Sequence, residues 1–117
     1  MSDISKFDWA SELPSAVTIT NKDGIIVYMN NKSVDTFAND GGSGLIGQNL
    51  YDCHNEHSNH IIQNITDSKL PNIYTIEKKG IKKLIYQSPY FSDGVFAGLV
   101  EISIVLPEDM QHFNRDK

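Results

Sequence analysis

The amino-acid sequence predicts a small α+β domain, with a five-stranded antiparallel sheet and helices over one face of the sheet. Two Asp-Gly pairs, Asp23-Gly24 and Asp93-Gly94, stand between apolar and β-branched residues. This pattern favours tight hairpin turns, because glycine accepts the positive φ that such turns need. The segment between the two hairpins is polar and helix-like before further strands follow. Helices inserted after the second of five strands are typical of an antiparallel sheet.

The front of the chain is predicted to form a short amphipathic helix. The helix is predicted over residues 3–12, where Ile4, Phe7, Ala10 and the following Leu13 recur at near-helical spacing, and Pro14 closes the segment. Such a stripe packs either on its own domain or on a second copy of the chain, and the sequence leaves both readings open.

The first hairpin is predicted to consist of strands over residues 16–21 and 25–30. The first strand alternates in character and reads as half-buried, whereas the second is apolar on both faces and reads as a central strand. Asn30 or Asn31 is predicted to cap a helix that runs to about Ala38.

The middle of the chain is predicted to hold a loop and a longer helix. The glycine-rich residues 40–44 read as a flexible loop, and residues 45–51 as a turn with a short helical step. A helix is predicted from residue 55 or 56 to residue 69, ended by Pro71. Its apolar face is predicted to contain His57, Ile61, Ile62 and Ile65.

The back of the chain is predicted to form three strands, over residues 72–79, 82–91 and 95–105. The first two are joined around Gly80. One face of the last strand is predicted to hold Phe96, Gly98, Val100, Ile102 and Ile104. Glycine inside a strand is costly, so Gly98 indicates either a close approach by another group or a simple packing position.

Composition excludes several classes of function. The net charge of −5 at pH 7 argues against nucleic acid and anionic membranes as partners. No apolar run approaches the roughly 20 residues of a membrane span, and the start of the chain is not typical of a signal peptide. The single Cys53 excludes an internal disulfide and favours a reducing compartment. We therefore expect a cytoplasmic protein.

Four segments resemble the PAS domain family, in the same order and at similar spacing over residues 13–106. They are Leu13-Pro14 before a strand, Asp23–Asn30, Leu45–Leu50 and Asp93–Gly98. The resemblance implies the strand order 2-1-5-4-3 and a division into an N-terminal helix (1–13), a PAS-like domain (14–106) and the start of a C-terminal helix or tail (107–117). It also implies a sensory or regulatory module of signal transduction, without catalysis.

A PAS-like fold leaves a hollow between sheet and helices, in which a small molecule could sit. The residues predicted to line it are His57, Ile61, Ile62, Tyr28, Tyr86, Phe96 and Val100.

Coloured cofactors are a further alternative that the resemblance raises. Glu56-His57 resembles the Glu-His of haem-binding PAS domains, which implies His57 as an iron ligand in a gas or redox sensor. The arginine that such domains supply from their third and fourth strands is missing. Flavin photochemistry is disfavoured, because Leu50 stands where light-sensing PAS domains carry their reactive cysteine.

One local cluster could bind a metal, and it consists of Cys53, His54, His57 and His60. Imidazole and thiolate are good metal ligands. Structural zinc sites usually draw their four ligands from two spaced pairs, which this cluster lacks. Cys53-His54 also resembles a Cys-His-Pro step of one PAS subgroup, with Asn55 in place of the proline.

Three functional hypotheses follow. The first is a sensor that binds a small molecule or a protein partner and acts through its sheet and terminal helices on an attached effector domain or a signalling protein. The second is a pure dimerisation domain with a filled core; in both cases a homodimer is expected through the N-terminal helix and the sheet. The third, a redox protein or enzyme that uses Cys53, is disfavoured because Asp52 and Glu56 oppose thiolate formation.

Overall fold

The computed structural model describes residues 7–50 and 56–116, and the side chains of residues 56–59 also lie outside this description. The elements in chain order are β1 (Ala16–Asn21), β2 (Ile26–Met29), α1 (Asn31–Thr36), two 3-10 helices (Ala38–Asp40 and Gly42–Leu45), α2 (Glu56–Ser68), β3 (Asn72–Lys78), β4 (Ile81–Ser92) and β5 (Val95–Val105). None of the described helices is long and apolar enough to cross a membrane.

The strands form one antiparallel sheet in the order β2-β1-β5-β4-β3, which confirms the predicted fold class and strand order. Tight turns set this order locally. Asp93 and Gly94 both have positive φ angles, of 51° and 79°, and so do Lys79 and Gly80, at 52° and 80°. Two consecutive positive φ values match the twist of the flanking strands, so each turn returns the chain directly into the next strand.

The strand register defines two faces of the sheet, which we call the inner and the outer face. Glu101 of β5 stands opposite both Thr18 of β1 and Gln87 of β4, so these three residues share the inner face, towards the helices. The next residue along β5, Ile102, stands opposite Val17 and Tyr86 and belongs to the outer face. The buried core includes Val17, Ile26, Met29, Ile62, Ile65 and Ile85.

The backbone of β1 and the ring of Tyr90 approach Gly98 closely. This agrees with one of the two roles that the sequence predicts for Gly98. A Cβ at this position would lie 2.1 Å from the Thr20 carbonyl oxygen and 2.9 Å from Cε1 of Tyr90. The Tyr90 hydroxyl donates a hydrogen bond to the same Thr20 oxygen at 3.3 Å. The tyrosine thus crosses β5 where the side chain is missing and ties β4 to β1.

Asn30 joins the N-terminal segment to β1 and α1. Its Oδ1 accepts hydrogen bonds from the backbone N–H groups of Val17 and Ser33, both at 2.9 Å. Its Nδ2 donates to the carbonyl oxygens of Ala10 and Ser15, both at 2.8 Å. Asn30 is only 1% exposed, and its amide binds three backbone groups besides the Ser33 N–H group, whose bond caps α1.

The predicted helix over residues 3–12 is not found in its described part. Residues 7–12 instead form bends and a turn. The Asp8 carboxylate accepts hydrogen bonds from the N–H groups of Ala10 and Ser11, at 3.2 and 3.0 Å, and the Leu13 N–H closes the turn onto Ala10. A local side-chain bond of this kind competes with helix formation, and Pro14 stops any extension.

Two further elements of the structure differ from the prediction. The glycine-rich loop of residues 40–44 is partly ordered into the second 3-10 helix. The C-terminal helix expected from Pro107 is absent from residues 107–116, which contain only a turn. Met110 and Phe113 are exposed there, and a short helix without a packed apolar face is not stable in water.

Candidate functional site

A cavity of about 370 Å³ lies between the inner face of the sheet and the helical side of the domain. Its volume is typical of small-molecule sites in proteins. Its apolar lining consists of Ile26, Met29, Phe37, Leu45, Leu50, Ile62, Leu99 and Val100. Its polar lining consists of Thr18, Thr20, Asp40, Gln87 and Glu101. The wall is therefore mainly apolar, with a few polar groups supplied largely by the strands.

Two threonines of β1 present their hydroxyl groups on the inner face. Thr18 Oγ1 lies 2.6 Å from Ser33 Oγ, so this hydroxyl is bound to α1. Thr20 is only 3% exposed, yet its Oγ1 has no hydrogen-bond partner within residues 7–50 and 56–116. A buried hydroxyl without a partner is uncommon and destabilising. Thr20 therefore offers a polar atom to whatever occupies the cavity.

Glu101 and Gln87 form the polar wall of the cavity. Gln87 Nε2 donates to Glu101 Oε2 at 2.9 Å, while Gln87 Oε1 accepts from Asn72 Nδ2 at 3.0 Å. These bonds orient the glutamine amide, and they hold the carboxylate on the inner face.

A second cavity of about 280 Å³ adjoins the first, because Phe37, Ile62, Gln87 and Glu101 line both. Tyr74 lines the second cavity. Burial raises the pKa of the Tyr74 phenol, and the nearby charge of Glu101 raises that pKa further. The phenol is thus kept protonated, as a neutral hydrogen-bonding group.

The charged side chains that line the first cavity in the described part of the chain are all acidic. Its described lining contains two carboxylates, Asp40 and Glu101, and no lysine, arginine or histidine. Lys83 lines the second cavity, but the described residues include no ion pair between Lys83 and Glu101. The site therefore has acidic character together with an apolar wall.

The predicted cavity lining agrees only in part with the observed one. Ile62 lines both cavities and Ile61 lines the second. Val100 borders the first cavity, but the register places its side chain on the outer face, opposite Ile19 and Ser88. Tyr28 and Tyr86 are corrected, because the register pairs Tyr28 with Ile19 and Tyr86 with Ile102, which places both tyrosines on the outer face.

Phe96 also lies away from both cavities. A register shift after Tyr90 pairs Phe96 with Phe91. This shift places Phe96 on the inner face, whereas Val100 lies on the outer face, but Phe96 is not among the described residues that line either cavity. The Phe96 ring lies under the ammonium group of Lys69, at 4.3 Å from the ring centroid.

The predicted haem and metal ligands lie largely outside the described side chains. Cys53 and His54 fall in the undescribed segment 51–55, and His57 is placed on α2 without a described side chain. His60 is exposed on α2. Across residues 7–50 and 56–116, no group of three or more potential metal-ligating side chains comes together.

Sequence reasoning missed the polar groups of the cavity, namely Thr18, Thr20, Gln87 and Glu101. The signal that points to them is the alternation within β5, where Glu101 and Ser103 interrupt an otherwise apolar strand. A charged residue in the middle of the central strand of a sheet is unfavourable unless that face borders a polar or wet space.

No family model and no curated protein matches the chain. Solved structures do match it. The PAS domain of the histidine kinase ThkA matches with a TM-score of 0.64 and 21% identity, over 77% of this chain and 97% of that one. The Aer2 receptor from Vibrio cholerae, a dual PAS-heme oxygen sensor, matches with a TM-score of 0.62 and 16% identity, over 80% and 95%. The PAS domain of BvgS from Bordetella pertussis matches with a TM-score of 0.62 and 16% identity, over 85% and 82%. The chain has the PAS fold.

Proposed function

We propose that this chain is a sensory module of signal transduction, which binds a small molecule between its sheet and its helices and passes the change to its terminal segments. The observation that carries this proposal is the 370 Å³ cavity, with its mixed lining and the unpartnered hydroxyl of Thr20. A core filled by its own side chains would have left no such space, so the cavity favours ligand sensing over a purely structural role. The likeness to PAS domains of a histidine kinase and of a receptor supports the signalling context.

A chain of hydrogen bonds gives the signal a route out of the cavity. Thr18 lines the cavity and shares a hydrogen bond with Ser33. The Ser33 N–H donates to Asn30, whose amide in turn donates to Ala10 and Ser15 of the N-terminal segment. A ligand that displaces Thr18 or α1 would therefore change the position of that segment. It can do so only to the extent that it binds the two positions with different affinity.

Filling the cavity from within tests this route without any ligand. Leu99 lines the cavity, and we expect Leu99→Trp to slow amide hydrogen exchange at Val17 and Ser33, which bond to Asn30, by restraining β1 and α1. Ile46→Trp is the matched control, because Ile46 is 44% exposed and lies outside the cavity lining. Equal exchange at both amides in the two variants would contradict the proposal.

The outer face of the sheet favours a second function, the formation of a homodimer. Its central positions are uncharged and largely apolar, and they are Ile19, Tyr28, Ile73, Leu84, Tyr86, Val100, Ile102 and Ile104. Ile73 and Ile104 are respectively 54% and 36% exposed. An uncharged apolar surface is complementary to a second copy of itself, and apolar patches of this kind mark interaction sites. We propose that two copies associate through this face together with the N-terminal segment.

Changing one exposed residue of the outer face tests the dimer. We expect Ile104→Glu to shift the protein to the monomer in sedimentation-velocity measurements, because a buried unpaired carboxylate is costly at an interface. Ile46→Glu places the same charge on a different surface and is expected to leave the mass unchanged. A wild-type monomer at the highest measurable concentration, or an Ile104→Glu dimer as tight as the control, would remove this second function.

Haem fits the described cavity poorly. The propionates of haem are anionic, and proteins usually pair them with cationic side chains, whereas the described lining carries Asp40 and Glu101 and no basic residue. We therefore do not propose a haem sensor.

A further inference from the structure

We propose that the cavity selects a small organic cation, an amine with an apolar body and a hydrogen-bonding oxygen close to its ammonium group. This inference rests on the proposed function, since it names the chemical class that the sensor site takes.

The acidic lining of the first cavity is the first observation that favours a cationic ligand. Glu101 is held on the inner face by Gln87, and this bond occupies its Oε2. In the described part of the chain, no cation pairs with the carboxylate and no basic residue lines the first cavity. A partly buried carboxylate in an apolar wall is stabilised by a cation. An anionic ligand would instead meet Glu101 and Asp40 without compensation.

The hydroxyl of Thr20 is the second observation, and it favours a hydrogen-bonding group on the ligand whatever the charge of that ligand. Thr20 is only 3% exposed and borders the cavity, and its Oγ1 has no hydrogen-bond partner among the residues that the structure describes. A ligand oxygen or N–H group that bonded to this hydroxyl would remove the cost of leaving it unpaired. An amine with a purely hydrocarbon body would satisfy Glu101 alone.

The register places the two groups within reach of one small molecule. Thr18 stands opposite Glu101 and Thr20 stands opposite Leu99, so Thr20 and Glu101 are diagonal neighbours on the inner face. Diagonal positions in an antiparallel pair are about 7–8 Å apart. An amino alcohol can bridge this separation with its ammonium group at Glu101 and its hydroxyl at Thr20.

The apolar wall accounts for the rest of the ligand. Phe37, Ile62 and Leu99 border the same space, and burial of an apolar body against them supplies affinity. The expected ligand is therefore amphipathic, with both polar groups at one end.

Four compounds with the same phenyl body separate these contributions. Phenylethanolamine carries the cation and the hydroxyl, phenethylamine the cation alone, phenylethylene glycol a neutral diol, and mandelate an anion with the same hydroxyl. Calorimetric titration of the full chain measures each affinity. We expect phenylethanolamine to bind more tightly than phenethylamine, and at least about tenfold more tightly than the diol, which corresponds to about 1.4 kcal/mol. We expect mandelate to bind most weakly.

Two near-isosteric variants assign the selectivity to residues. Glu101→Gln keeps an acceptor for Gln87 but removes the charge, and we expect it to abolish the advantage of phenylethanolamine over the diol. Thr20→Val removes the unpartnered hydroxyl, and we expect it to abolish the advantage over phenethylamine. Because Thr20→Val also removes an unsatisfied buried group, we expect it to raise the melting temperature of the free protein, a readout that does not depend on any ligand.

The outcomes distinguish this inference from the proposed function. If the diol or mandelate binds as tightly as phenylethanolamine, the cavity is still a small-molecule site but cation selection is wrong. If none of the four binds, or if Glu101→Gln leaves the order of affinities unchanged, cation selection is overturned, while the Leu99→Trp exchange experiment still decides the sensory function.

Discussion

The Gly98→Ala variant is expected to lose about 3 kcal/mol of unfolding free energy, because the added methyl group has no space. Its Cβ would come within 2.1 Å of the Thr20 carbonyl oxygen, and the backbone would have to move apart to accommodate it. The positive φ of Gly98, 155°, is also one that side chains rarely adopt. The movement separates β5 from β1 and weakens the bond from the Tyr90 hydroxyl to Thr20. Denaturant unfolding measured by circular dichroism gives the free energy directly.

Gly44→Ala is the matched control for this prediction. Gly44 lies in the second 3-10 helix, has no heavy atom within 4 Å of an added Cβ, and has no positive φ to lose. We expect its unfolding free energy to equal that of the wild type or to exceed it slightly. If Gly98→Ala were as stable as Gly44→Ala, the close approach of β1 and Tyr90 to Gly98 would be wrong.

The Asn30→Ala variant is expected to lose about 4 kcal/mol of unfolding free energy. The change leaves the Val17 N–H and the carbonyl groups of Ala10 and Ser15 without their partner and removes the cap of α1. Each buried backbone group left unpaired costs about 1–3 kcal/mol, and loss of a cap costs about 1 kcal/mol. Partial access of water to the N-terminal segment limits the total.

Asn30→Asp and Asn31→Ala sharpen this test. Asn30→Asp keeps the acceptor for Val17 and Ser33 but directs an oxygen at two carbonyl groups. Burial and these carbonyls raise the pKa of the new carboxyl in the folded state. The stability of Asn30→Asp is therefore highest below the unfolded-state pKa of about 4, and it is lost as the pH rises through the folded-state pKa.

Asn31→Ala changes an exposed neighbour whose backbone N–H bonds to Ser11, and we expect little effect on the unfolding free energy. Equal stability of Asn30→Ala and Asn31→Ala would contradict the role of Asn30.

The strands and their turns could be predicted because their signals are local. Asp93-Gly94 and Gly80 specify turns through backbone conformations that they adopt at low cost. Once three hairpin turns are placed, the antiparallel pairs β1–β2, β3–β4 and β4–β5 follow directly. The position of β1 beside β5 followed from the family resemblance, because no local signal specifies a pair so distant in the chain.

The cavity could be predicted to exist, but its lining could not be derived from periodicity. Alternation in β5 correctly groups Val100, Ile102 and Ile104, yet it does not say which face the helices cover. The apolar face was assigned to the cavity, whereas the register directs it outwards. The inner face carries Glu101 instead. An apolar stripe can be buried by the fold or kept for a partner, and the same residues serve either purpose.

The long-range hydrogen bonds could not be predicted from the sequence. The sequence predicts either Asn30 or Asn31 as the cap of α1, which is a local role, and in the structure the cap is Asn30. Its bonds to Ala10 and Ser15 depend on a return of the chain that no local pattern encodes. The same applies to Phe96, whose face depends on a one-residue bulge in β5.

We propose that occupancy of the cavity changes the position of the N-terminal segment through Asn30. Proton–nitrogen correlation NMR of the Asn30 side-chain amide tests it most directly, in Leu99→Trp, with Ile46→Trp as the control. We expect Leu99→Trp to shift the Asn30 amide resonances together with the backbone amide resonance of Val17, and Ile46→Trp to leave both unchanged. Shifts confined to the cavity lining, with the Asn30 amide unchanged in Leu99→Trp, would contradict it.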